Sequence, residues 1–180
     1  MRSARLTLLL LAAALAGAGP APAAELSFDP DSMLVIKNDV FLVSVVVDAQ
    51  DSIMGYDVAV SFDKGILVPL DVFEGDLPAG SGHSTFFRWL NQGDDDGTLR
   101  VNGSILGATI DGPGALFTIE FRALCAGVSA LCMPHADLRD GLNRKLFPAV
   151  SCAEVTVTEP IATQESSWGA IKTAASDAVD

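Results

Sequence analysis

A chain of 180 residues with 23 Asp and Glu against 11 Lys and Arg carries a formal charge of −12 at pH 7. That balance repels phosphate backbones and excludes nucleic acid as a natural partner, because such binding depends on neutralising phosphates with Lys and Arg. Hydrophobic residues make up 49% of the chain, enough to bury a core within one domain.

The first two dozen residues have the three-part layout of an export signal: Arg2 and Arg5, an apolar run from Leu6 to Ala16, then small residues with Pro20 and Pro22. The run falls short of the roughly 20 apolar residues that a membrane-crossing helix needs, and Ala21-Pro22-Ala23 offers a small-x-small cleavage site. Residues 1–24 therefore read as a signal peptide, and the mature chain as secreted. Asp, Lys, Gly or Pro interrupts every later apolar run, so no transmembrane segment is expected.

From Leu34 onward the hydrophobic period is two, in short segments rich in Val, Ile, Phe and Thr and punctuated by Gly, Asp, Asn or Pro. In chain order, strands are predicted over 33–36, 41–47, 56–62, 66–73, 85–90, 99–105, 117–121, 130–133 and 154–158. The clearest is 56–62, where Tyr56, Val58, Val60 and Phe62 point one way and Asp57, Ala59 and Ser61 the other. Half-buried strands of this kind belong to antiparallel sheets stacked face to face. The expected fold is an all-β sandwich over residues 25–159. Past Pro160 the composition turns to Ala, Ser and Thr, and residues 160–180 read as a flexible tail.

Cys125, Cys132 and Cys152 are the only cysteines, and export permits a disulfide. Three pairings are open, with a weak preference for Cys125 with Cys132, which flank a reversal expected at Gly127. No C-x-x-C accompanies them, so no metal is expected there. Asp94, Asp95 and Asp96 beside Gly97 lack the alternating ligands of a calcium loop and read as a hairpin turn. His83 and His135, the only histidines, fall in no H-E-x-x-H spacing, and no G-x-S-x-G elbow occurs. No catalytic residue and no cofactor is predicted.

Three stretches in order resemble the cohesin family: Ile53-Met54-Gly55-Tyr56-Asp57-Val58-Ala59-Val60-Ser61-Phe62-Asp63, then residues 66–77 closing on Glu74-Gly75-Asp76-Leu77, then Gly114-Ala115-Leu116-Phe117-Thr118-Ile119-Glu120-Phe121-Arg122. The resemblance extends over residues 26–158 and includes Leu138-Arg139-Asp140-Gly141, similar to the loop before that family's last strand. It implies a nine-stranded jelly-roll sandwich of two antiparallel sheets, secreted or held at a cell surface. Its implied role is to bind a dockerin-type module, a calcium-loaded pair of helices, on one sheet face. The cysteines depart from the family pattern.

The strands matching that face are 55–62, 85–90, 99–105 and 116–122, so the partner-binding residues implied are Asp57, Arg88, Arg100, Asn102, Thr118 and Glu120. The same fold serves carbohydrate-binding modules. In that alternative Trp89, from the cluster Phe86, Phe87 and Trp89, would stack on a polysaccharide, as flat rings match the C–H face of a pyranose; alternation puts Phe87 and Trp89 on one face and Phe86 on the other, so at least one side of the cluster reads as core. A structural surface domain is the third reading.

Overall fold

The computed structural model describes residues 24–49, 51–91 and 97–160. Residues 1–23 of the expected signal peptide, the Asp94–Asp96 run and the expected tail past residue 160 lie outside the described residues.

Among the described residues, twelve strands and one helical turn follow one another. They are β1 (Ala24–Asp29), β2 (Ser32–Ile36), β3 (Val40–Ala49), β4 (Ile53–Ser61), β5 (Leu67–Glu74), α1 (Asp76–Ala79), β6 (Thr85–Asn91), β7 (Thr98–Ile105), β8 (Gly114–Ala123), β9 (Gly127–Asp140), β10 (Lys145–Leu146), β11 (Ala149–Val150) and β12 (Ala153–Thr158). One sheet has the order β11-β1-β3-β8-β5; the other runs β2-β12-β9-β4-β7-β6, with β10 added against β9.

The sandwich is as expected, with two differences. Nine strands were anticipated and twelve are present among the described residues: β1 was missed because the periodic reading began only at Leu34, and β10 and β11 are ladders of two residues each, too short for a periodic signal. The sheets are mixed, not purely antiparallel: β1 runs parallel to β11, and β2 parallel to β12. Alternation shows which side chains face inward; it carries no information on strand direction.

The core forms where the two inner faces meet. Tyr56, Val58 and Val60 of β4 and Leu99, Val101 and Ile105 of β7 are buried against Val43, Val45 and Val47 of β3 and Phe117, Ile119 and Phe121 of β8. Leu26 and Phe28 extend this core on one side, and Leu131, Leu138, Val155 and Val157 extend it on the other.

β9 is the largest departure from the expected elements. Its first half pairs with β12 through residues 127–131, its second half with β4 through residues 132–140, and the register shifts opposite Val60, between Cys132 and His135. Pro134 sits in that shift. Having no N–H to give a ladder, proline is tolerated at such an irregularity, and the strand continues beyond it to Asp140. The segment Leu138-Arg139-Asp140 is therefore strand, with the turn falling at Gly141–Arg144.

The disulfide also differs from expectation: Cys132 is bonded to Cys152, and Cys125 is free and exposed. The expected reversal between Cys125 and Cys132 does not occur, because β9 is already extended from Gly127. Five extended residues carry Cys132 about 17 Å along the strand. The Ala153↔Leu131 pairing sets Cys152 next to Cys132, with a Cα–Cα distance of 4.4 Å.

Candidate binding face

The four strands β6, β7, β4 and β9 lie side by side, and their inward residues build the core, so every second residue points to the outside. The register sets Arg88, Asn102, Asp57 and Asp137 in one row across the strands. Leu90, Arg100, Ala59 and His135 form the next row, and Phe86, Ser104, Gly55 and Arg139 the row on the other side. Lys145 of β10 continues the last row beyond Arg139.

Asp57 is the hub of this face. Arg100 Nε donates to Asp57 Oδ1 at 2.7 Å and Arg100 Nη2 donates to Oδ2, a two-point contact that fixes both side chains. His135 Nε2 stands 3.6 Å from the same Oδ2. The hydrogen-bonded Arg100 guanidinium holds the Asp57 carboxyl below its ordinary pKa, helped by His135 and by the Asn102 amide, while partial burial works in the opposite sense. A second cluster adjoins it, where Asp137 Oδ2 accepts from Arg139 Nη2 at 3.0 Å and faces Lys145 Nζ at 3.3 Å.

The turn that returns β10 to this face is built on Asp140. Its Oδ1 accepts from the Leu142 and Arg144 N–H groups, and its Oδ2 from Arg144 Nε at 2.6 Å. Burial alone would raise the Asp140 pKa, but these donors outweigh it and hold the carboxyl below its ordinary value.

Between the two clusters Gly55 leaves a shallow hollow of about 280 Å³, walled by Met54, Asp57, Ser104, Asp137, Arg139 and Asn143. Asp137 Oδ1 is buried beside it with no hydrogen-bond partner among the described residues. Pockets that enclose small ligands run from about 300 to 1,000 Å³. This face is a broad surface with one dimple, better suited to a macromolecule.

Four of the six residues expected on one face lie together here: Asp57, Arg88, Arg100 and Asn102. Thr118 and Glu120 do not. They belong to β8, which hydrogen-bonds to β3 and β5 in the opposite sheet; there Thr118 Oγ1 lies 2.8 Å from Ser44 Oγ. A period-two strand reads alike in either sheet, so its pattern could not assign it. The fourth strand of the face is instead β9, whose His135, Asp137 and Arg139 sequence reasoning missed by ending that strand at Met133. The alternation His135-Ala136-Asp137-Leu138-Arg139 was the available signal.

Trp89 takes the core side of its two readings and not the sugar-stacking one. It points inward with Phe87 and packs against the core, whereas Phe86 and Leu90 are the exposed residues of β6, at 50% and 41%. No outward tryptophan is offered to a sugar on this strand. Among the described residues no three His, Cys, Asp or Glu converge as a metal site, and no helix is long and apolar enough to cross a membrane.

No protein-family model and no curated protein sequence matches the chain. Solved structures do. A non-cellulosomal cohesin from the archaeon Archaeoglobus fulgidus superposes with a TM-score of 0.64 at 18% identity, covering 79% of this chain and 93% of that one. The fold is that of a cohesin module. The cohesin-like fold is shared with the type I cohesin–dockerin complex of Clostridium thermocellum, at TM-score 0.66, 9% identity, and coverage of 80% and 99%. A cohesin from Clostridium acetobutylicum gives 0.64 at 18% identity, covering 76% of this chain and 92% of that one. Identities this low establish a shared fold, and the expected cohesin-like sandwich is what the structure has.

Proposed function

We propose that this chain is an exported, non-catalytic recognition module that binds a dockerin-type protein across the outer face of β6, β7, β4 and β9. The observation that carries this reading is the rigid polar hub on that face. Asp57, clamped by Arg100 and flanked by Asn102 and His135, presents fixed donors and acceptors at the centre of a broad sheet. Groups held in place before binding lose little side-chain entropy on association, and mixed charges fix the register of a helix laid across them. Cohesin-fold structures have been solved in complex with dockerins, which gives the partner class its support. The Cys132–Cys152 disulfide suits an oxidising, extracellular compartment, in keeping with the signal-like residues 1–24.

The test is a pull-down with the purified chain against the secreted proteins of the source organism, with and without calcium chelation, and identification of what is retained. The expected result is a protein carrying paired calcium loops that chelation releases, because a calcium-built helical pair loses its shape without the ion. Capture of no such protein, with retention on insoluble polysaccharide, would sink the dockerin reading.

A further inference from the structure

Edge strand β6 presents Phe86, Arg88 and Leu90 outward, all three exposed. The other cations of the face are already matched: Arg100 by Asp57, Arg139 and Lys145 by Asp137, and Arg144 by Asp140. Arg88 makes no ion pair among the described residues. The acid in its row, Asp57, is held at both oxygens by Arg100 and lies two strands away, across Asn102.

The charge of the rest of the domain adds to this contrast. The outer face of the opposite sheet carries Glu25, Asp29, Asp48, Asp71 and Glu120 against Arg122, with Glu25 opposite Asp48 and Asp71 opposite Glu120 in the strand register. An acidic partner is repelled there and steered to the side that holds Arg88, Arg100, Arg139 and Lys145.

We infer that the stripe Phe86–Arg88–Leu90 selects a protein partner presenting a carboxylate between two apolar side chains on one helix face. The inference rests on the recognition reading above and adds the chemistry of the partner. Outward residues of a strand recur about every 6.7 Å, so the three contacts span about 13 Å. A helix rises about 1.5 Å per residue. Positions i, i+4 and i+8 therefore fall about 6 and 12 Å along it and meet the stripe with the acid in the middle. Arginine gives such an acid two parallel donors, and the flanking apolar contacts shield the pair from water.

The experiment uses two synthetic helical peptides of about 20 residues, identical except for Glu or Lys at the centre of a Leu-x-x-x-Glu-x-x-x-Leu face. Each is titrated into the full, isotope-labelled chain, with amide shifts read along β6. The expected result is at least tenfold tighter binding of the Glu peptide, shifts centred on residues 86–90, and reversal of the preference in Arg88→Glu. Phe86→Ser should weaken both peptides, and the amide spectrum of each variant reports that it is folded. Equal binding of the two peptides, no binding, shifts elsewhere on the sandwich, or self-association abolished by Arg88→Glu would each overturn the inference. A calcium-dependent partner retained equally by wild type and Arg88→Glu would overturn it while leaving the recognition reading intact. If the wild-type chain retains no such partner, the peptides still decide the inference independently.

Discussion

The ring of Tyr56 occupies the space that a side chain at Gly103 would need. The two residues face each other in the β4–β7 register, and a β-carbon on Gly103 would come within 2.1 Å of Tyr56 Cζ. The ring thereby reaches across the sandwich, where its hydroxyl donates to the Leu116 carbonyl at 3.1 Å and its centroid lies 6.1 Å from that of the Phe117 ring. Burial, reinforced by the Glu74 carboxylate, raises the phenol's pKa above its ordinary value and keeps it neutral and donating.

Gly103→Ala is accordingly expected to destabilise the domain by about 1–3 kcal/mol, the usual cost of overpacking. Tyr56→Phe keeps the ring and removes one of two hydrogen bonds to the Leu116 carbonyl, which still accepts from the Gly75 N–H at 2.9 Å, so the expected cost is about 1 kcal/mol. Denaturant titrations of both variants check this; a Gly103→Ala midpoint equal to wild type would contradict the packing argument.

Acid should unfold the protein partly through Asp57. Its folded-state pKa lies below the ordinary 3.8, so its contribution is fully present above the unfolded value and is lost as pH falls through the folded one. Asp140 acts with the same sign. In Asp57→Asn the unfolding free energy should depend less steeply on pH below about 4, measured by denaturant titration at a series of pH values.

Loss of the Cys132–Cys152 bond, through Cys132→Ser or reduction, frees a loop with a sequence separation of 20 residues. Loop-closure entropy places the loss near 3 kcal/mol. Cys125→Ser, at an exposed free thiol, should leave the melting temperature unchanged, and thermal unfolding of the two variants separates the cases.

Trp89→Ala should lower stability by about 2 kcal/mol, less than a fully buried tryptophan because the ring is only partly covered. It should leave retention on polysaccharide unaltered. A selective loss of sugar binding in a variant of wild-type stability would restore the carbohydrate reading.

The two sheet faces can be separated by binding. Arg100→Glu places a second acid against Asp57 and should abolish retention of a dockerin-type partner, whereas Glu120→Lys on the opposite sheet should leave it within twofold. Surface titration of both variants against the partner from the pull-down decides the comparison.

Much of the fold was legible before any coordinates. Tyr56, Val58 and Val60 alternate with Asp57, Ala59 and Ser61, and that alternation assigned the inner and outer faces of β4 correctly. The same reasoning placed Phe87 and Trp89 together and Phe86 opposite them. It fails beyond Met133, where the predicted strand stops, because the local pattern does not register that an irregularity at Pro134 lets the strand continue. With the second half of β9 went His135, Asp137 and Arg139, half of the charged network around Asp57.

The sequence by itself determined the class of fold and the facing of most strands, since both follow from local hydrophobic period and turn chemistry. Only the tertiary structure decided that β8 lies in the sheet opposite β4, that Cys152 rather than Cys125 meets Cys132, and that Asp57 is clamped by Arg100 while Arg88 has no ion pair among the described residues. Those outcomes depend on which strands become neighbours. Pairing joins residues far apart in the chain, and a period of two is the same whichever sheet a strand enters.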